Sequence, residues 1–112
     1  IFDASGCDAE AITNYDNVYA FAKQLVVDID MVAYGEPMVV HFAEHAIDKS
    51  GWSLCQMIET SSITGHFVDM NGDFYIDVFS CKSVDVKVCE DLIRKYFNPE
   101  KVRINFITRN AN

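Results

Sequence analysis

The 112-residue sequence has little proline and little positive charge, and both shortages restrict the function classes open to it. Two prolines together with 50% hydrophobic residues are typical of a folded globular chain and exclude a disordered one. Nine Lys and Arg stand against 17 Asp and Glu, which gives a net charge of −8. Because phosphate contacts are made mainly by clustered Lys and Arg, no nucleic-acid partner is predicted. An acidic surface is compatible with a small cationic substrate.

Long apolar runs and closely spaced cysteine pairs are also missing. No stretch approaches the ~18 apolar residues of a membrane span, so no membrane partner is predicted. The four cysteines are not spaced as Cys-x-x-Cys, which argues against a zinc ribbon, and they indicate free thiols in a reducing, cytoplasmic compartment. They are Cys7, Cys55, Cys81 and Cys89. The chain begins without Met, in what resembles the end of a strand, so we expect a short N-terminal segment to precede Ile1.

The order of apolar patterns predicts one α+β domain that covers residues 1–112. Apolar residues spaced three and four apart predict amphipathic helices over 14–33 and 84–99. β-rich runs predict strands at 37–43, 52–59, 62–68, 74–81 and 101–109, after an opening strand that ends near residue 5. We assign the order β-α-β-β-β-α-β, a two-layer sandwich in which both helices cover one face of a mainly antiparallel sheet.

One apparent metal motif is rejected on its position. His41, Glu44 and His45 match the His-x-x-Glu-His pattern of a zinc protease family. That motif requires a helix, which places two histidines four residues apart on one face. Here it lies where a predicted strand runs into a loop, and side chains alternate along a strand. No metal site is therefore predicted.

Three nucleophilic or titratable residues lie near two neighbouring predicted strands. A turn before 62–68 is predicted to expose Ser61, and the return strand ends at Cys81. Hairpin pairing is expected to bring His66 and Cys81 toward one end of the sheet. Each residue also has a structural explanation, as a turn serine, a half-buried strand histidine and a core cysteine.

The segment ETSSITGHFVDMNGDFYIDVFSC (59–81) resembles the signature of the small prokaryotic S-adenosylmethionine decarboxylases. That signature reads Glu-Ser-His-x-x-x-His, then a hairpin, then Asp-x-Phe-x-Cys. The steps of five and twenty residues from serine to histidine and cysteine match Ser61, His66 and Cys81. The resemblance extends to FDASGC (2–7), similar to the family's opening strand, and to SGWS (50–53), which is similar to the segment before its central strand.

The resemblance implies a self-processing enzyme with a pyruvoyl cofactor made from Ser61. Cleavage between Thr60 and Ser61 would give a β chain, 1–60, and an α chain, 61–112, which stay folded together. The family assigns the processing base to the position of His66 and the proton donor to that of Cys81. The cofactor forms a Schiff base with the substrate amine, and family members pack as homodimers.

The sequence departs from the family around the serine and after the histidine. Thr60 replaces the family's glutamate, with Glu59 one residue earlier, and Ser62 replaces a histidine. After His66 the family continues Thr-Trp-Pro-Glu, whose Trp and Glu help to hold adenine and ribose, whereas this chain reads FVDM.

Four residues are assigned tentatively to substrate binding: Ser53, Trp52, Phe67 and Glu59. Phe67 could offer a replacement ring, although it lies next to the position expected to face the substrate. The leading hypothesis is decarboxylation of S-adenosylmethionine in polyamine (spermidine) biosynthesis. The alternatives are the same chemistry on ornithine or arginine, and an unprocessed, non-catalytic homologue that binds a ligand or regulates a partner.

Overall fold

The computed structural model describes residues 1–112, and its elements follow the predicted fold class. The strands are β1 (Phe2–Ser5), β2 (Ala33–Phe42), β3 (Gly51–Ile58), β4 (Ser61–Val68), β5 (Phe74–Phe79) and β6 (Lys101–Ile104). The helices are α1 (Ala9–Ile12), α2 (Tyr15–Asp28) and α3 (Val86–Phe97). None of the helices combines the length and the apolar character needed to cross a membrane.

All six strands form one sheet in the order β2-β3-β4-β5-β1-β6, and every neighbouring pair is antiparallel. The predicted α+β sandwich is confirmed. Two elements are added to the predicted order, because four strands lie between α2 and α3 and the short α1 precedes α2. Each of the four strands coincides with one of the β-rich runs, so the assigned order counted one run too few.

The core lies between the sheet and the helices. Both long helices begin at side-chain caps, Asn14 and Asp85, which accept hydrogen bonds from backbone N–H groups of the first turn. A cluster of aromatic rings joins α2 and α3 to the middle of the sheet, through Phe21, Phe67, Phe74 and Phe97. Burial of these large apolar side chains is the main source of stability of the two-layer arrangement.

The other face of the sheet carries no helix. Strand residues alternate between the faces, so each strand presents every second side chain to this open face. Several of these side chains are large, apolar and exposed: Met38, Val40, Phe42, Met57, Tyr75 and Phe79. Exposed apolar side chains in this number on one sheet face are the kind of surface that a partner can cover.

Strand β2 begins at Ala33, before the predicted start at residue 37, because the YGEP segment (34–37) lies inside the strand. It forms an irregularity inside β2, where the register shifts between Tyr34 and Met38 and Gly35 has a φ of 70°. The buried Gln56 side chain of β3 donates hydrogen bonds to the Tyr34 and Gly35 carbonyls. Those carbonyls are therefore satisfied by a side chain instead of by the strand ladder.

A histidine flanked by two carboxylates ties the end of β2 to the β4–β5 hairpin. His41 Nε2 lies 2.7 Å from Asp69 Oδ2, and Nδ1 lies 3.3 Å from Glu44 Oε1. The ring packs edge-on against Trp52. Its pKa is raised above 6.5, mainly by the hydrogen bond to Asp69. The carboxylates lie at opposite ring nitrogens, which suits a protonated imidazole rather than a chelated metal.

We predict that this contact makes stability depend on pH. Because the folded state raises the pKa of His41, its contribution is complete below the unfolded value of about 6.5 and is lost as pH rises through the raised pKa. Wild-type protein should therefore have a higher melting temperature than His41→Gln at pH 6, with a smaller difference at pH 9. Thermal unfolding monitored by circular dichroism measures the difference, in which the other titrating groups cancel. A difference that stays constant from pH 6 to pH 9 would contradict the charged contact.

Candidate functional site

The turn between β3 and β4 holds its backbone in a strained conformation. Ile58 pairs with Ser61, so only Glu59 and Thr60 close the hairpin, and the Glu59 N–H donates to the Val32 carbonyl. Thr60 has a φ of 62°, in the left-handed region. A β-branched residue is an outlier there, at a cost of about 1–3 kcal/mol. The strained residue directly precedes the peptide bond for which cleavage is predicted from the sequence.

Ser61, directly after this turn, is brought to Cys81 by the pairing of β4 with β5, in which Ser62 lies opposite Phe79. The Cys81 N–H donates a 3.1 Å hydrogen bond to Ser61 Oγ, and Cys81 Sγ lies 2.8 Å from Thr60 Oγ1. Ser61 is 9% exposed and points toward the helix side of the sheet, so the prediction that it is exposed is wrong. The turn residues before it are exposed, whereas Ser61 is already the first residue of β4.

The thiol of Cys81 differs from the two core thiols in its surroundings. All four cysteines are free, and burial raises the pKa of Cys7 to about 12 and that of Cys89 to about 11. The pKa of Cys81 is instead lowered, first by hydrogen bonding with the Thr60 side chain and next by hydrogen bonding with the Ser61 side chain. Cys81 is exposed, so its thiol combines access with stabilisation of the thiolate, which is the form that reacts.

His66 lies away from this cluster, which corrects the expectation that it converges with Cys81. It is five residues from Ser61 on an extended strand, a rise of roughly 16 Å, and its odd offset places it on the open face. It lies opposite Ser53 and Tyr75, and its Nδ1 is 3.0 Å from Ser53 Oγ. The hairpin therefore creates two separate polar groups, Thr60–Ser61–Cys81 and Ser53–His66.

Two tentative substrate-binding residues belong to the helix side instead. Phe67 is 1% exposed and packs against Phe74 in the core, so it offers no free ring. Trp52 packs against Tyr15, and its Nε1 donates to the Thr13 carbonyl. Both lie at the end of the hairpin remote from Ser61. Their assignment to substrate binding is therefore corrected. Because side chains alternate along a strand, the positions of both residues relative to their buried neighbours already indicate the helix side.

We call the Thr60–Ser61–Cys81 group the serine–cysteine cluster. A cavity of about 530 Å³ adjoins it. It lies between the end of β5, the segment before α3 and residues 104–109, and its wall includes Phe79, Cys81 and Arg109. The volume is within the range of small-molecule sites. No group of three or more His, Cys, Asp or Glu is placed to hold a metal ion. The chemically distinctive features at this end are a hydroxyl, a thiol and the left-handed backbone of Thr60.

Comparison with solved structures finds the same fold in another protein. The crystal structure of the adenosylmethionine decarboxylase from Aquifex aeolicus VF5 superposes with a TM-score of 0.72 at 17% identity. The match covers 99% of this chain and 92% of that chain, so the fold is shared over almost its whole length. A comparison with curated protein sequences finds no match.

The family follows from a second comparison. The family model described as S-adenosylmethionine decarboxylase matches residues 1–110. The chain therefore belongs to the S-adenosylmethionine decarboxylase family, as its sequence signature predicts.

The left-handed conformation of Thr60 generates a stability prediction, made on Ser61→Ala protein so that cleavage does not interfere. Thr60→Gly should be more stable than Thr60→Val by about 1 kcal/mol, because the strain of about 1–2 kcal/mol exceeds the unfolded-chain entropy that glycine adds. Both variants lack the hydroxyl, so its hydrogen bonds cancel. Urea denaturation of the pair gives the difference. Equal midpoints would mean that Thr60 is not strained.

Proposed function

We propose that the protein is a self-processing, pyruvoyl-dependent decarboxylase that acts on S-adenosylmethionine in polyamine (spermidine) biosynthesis. The observation that carries the proposal is the position of Ser61 Oγ, which accepts a hydrogen bond from Cys81 N–H directly after a residue in the left-handed region. Family membership supports the substrate class. Free thiols are compatible with the cytoplasm as the compartment.

The proposed processing needs no external cofactor, only groups of this protein and water. Ser61 Oγ attacks the Thr60 carbonyl, the peptide C–N bond breaks, and an ester with a free amine at residue 61 replaces it. Elimination then releases the Thr60 carboxylate, and hydrolysis of the resulting imine releases ammonia. The residues fit such a step, since strain at Thr60 is relieved when the turn opens and a donor already faces Ser61 Oγ.

A pyruvoyl group supplies a carbonyl that takes up the substrate amine and withdraws electrons as CO2 leaves. Cys81 is assigned as the proton donor to the product carbon. Its support is an exposed thiol next to Thr60 and Ser61, in the wall of a cavity large enough for a small molecule. Glu59, in the same turn, is kept as a substrate contact because it lies at the Ser61 end of the hairpin.

The base for processing is proposed to come from a second copy of the chain. The chain has three histidines, and none lies at the Ser61 end of the hairpin. His41 is held by Asp69, His45 lies in the loop after β2, and His66 lies beside Ser53 on the open face. A homodimer formed through the open face would bury its exposed apolar side chains. It would present His66 and Ser53 to the partner, whose exposed turn residues Glu59 and Thr60 lead into the bond to be cut.

The first functional prediction concerns maturation and turnover. Wild-type protein should separate on a denaturing gel into fragments 1–60 and 61–112, the second with a blocked N-terminus by mass. It should release CO2 from carboxyl-labelled S-adenosylmethionine. Ser61→Ala should stay intact and inactive, because it lacks the attacking oxygen.

Ser62→Ala is the matched control, since Ser62 faces the opposite side of the sheet and should leave cleavage unchanged. Cleavage that survives Ser61→Ala would refute the assignment of Ser61. A processed protein that releases CO2 from ornithine or arginine instead would keep the chemistry and replace the substrate. An intact wild-type chain that binds ligand would favour the non-catalytic hypothesis.

Complementation tests the shared site. His66→Ala should not be cleaved by itself. We expect cleavage of its Ser61 when it is co-expressed with a differently tagged Ser61→Ala chain, because the second chain supplies His66. A Ser61→Ala/His66→Ala partner should give no rescue. Normal cleavage of His66→Ala alone would remove His66 from processing, and failure of rescue in a purified mixed dimer would exclude the partner as its source.

A further inference from the structure

Three segments meet at the serine–cysteine cluster, and each is bonded to the other two. They are the connection after α2 (30–32), the turn 59–61 and the loop 80–82. The Glu59 N–H donates to the Val32 carbonyl, which joins the turn to the connection. Cys81 joins the loop to the turn through Ser61 and Thr60.

Lys82 joins the loop to the connection after α2. Its Nζ lies 2.5 Å from the carbonyl oxygen of Asp30 and 3.8 Å from the Asp30 carboxylate. That carboxylate is fully exposed, so the ion pair itself contributes little. The carbonyl lies just after the last turn of α2, where unpaired carbonyls and the helix dipole favour a cation.

The loop that carries Cys81 is short and otherwise held only from within. Ser80 Oγ accepts from the Lys82 N–H and donates to the Lys82 carbonyl, which makes 80–82 a compact unit. A movement of the Lys82 side chain is therefore transmitted to the neighbouring Cys81 N–H. That N–H is the donor to Ser61 Oγ.

We propose that Lys82 is a positioning residue for self-processing: by bonding to the carbonyl of Asp30 it holds the Cys81 N–H and thiol against Ser61 and Thr60. The inference rests on the proposed function, because it assigns a role in the same cleavage. Lys82 touches none of the reacting atoms and acts through the loop. Asp30 and Lys82 lie on opposite sides of the bond to be cut, so the contact would also join the two products.

The test compares three lysine variants. Lys82→Met keeps the aliphatic stem and removes the donor, Lys82→Arg keeps a cationic donor, and Lys87→Met is the control for charge on α3, where Lys87 pairs with Asp91. The rate of self-cleavage after refolding, followed by intact mass, should fall about tenfold in Lys82→Met, as expected for loss of a charged hydrogen bond. Lys82→Arg should restore most of the rate, and Lys87→Met should match wild type.

A second readout does not depend on cleavage. In a Ser61→Ala/Cys55→Ser background, Cys81 is the one exposed thiol, and its alkylation rate is measured against pH. The charged groups around it are Lys82, Asp30 from the end of α2, Glu59 from the turn, and Asp77 and Arg109 in the wall of the same cavity. Loss of the ammonium should move the midpoint upward in Lys82→Met and slow alkylation at pH 7 by about two- to threefold. Lys87→Met should leave the profile unchanged.

The outcomes separate this inference from the proposed function. If wild type cleaves and Lys82→Met cleaves as fast, the positioning role is overturned while the function stands. If wild type does not cleave, the proposed function fails, and the alkylation profile alone decides whether Lys82 holds the Cys81 loop. Lys82→Gln gives a second neutral side chain should Lys82→Met misfold.

Discussion

The register between β3 and β4 is the constraint on which the site depends. Eight consecutive pairs, from Gly51 opposite Val68 to Ile58 opposite Ser61, leave two residues to close the hairpin. A two-residue connection requires special backbone angles, and here they are imposed on Thr60. The same register sets Ser53 opposite His66. One alignment of two strands therefore creates both the strained backbone of Thr60 and the contact between Ser53 and His66.

Much of the fold could be predicted because it is local. The helices show as apolar spacing with capping residues, and the strands as β-rich runs between turn residues. The contact between Ser61 and Cys81 could also be predicted from the sequence, since it follows from the pairing of the consecutive strands β4 and β5. The left-handed backbone of Thr60 could not, because it depends on where the ladder stops. The separation of His66 from Ser61 was overlooked, although an odd offset along a strand already places two side chains on opposite faces.

The two faces of the sheet carry different parts of the proposed chemistry. The helix side fixes Ser61 among packed residues, where little can move. The open side carries His66 and Ser53 among exposed apolar side chains, where a partner can approach. Under the proposed function, the reactive end of one chain would be incomplete by itself. Assembly would then be linked to maturation, because a chain that remains alone would hold its serine without a base.

The strand order has a consequence for the molecule once the proposed cleavage has taken place. Residues 1–60 contain β1, β2 and β3, and residues 61–112 contain β4, β5 and β6. In the sheet, β1 lies between β5 and β6, and β3 lies beside β4, so three of the five strand pairings join different fragments. Strands of the two fragments therefore alternate within one sheet. Neither could leave without breaking the sheet at several places, so a cut backbone and a lasting assembly are compatible in one small protein.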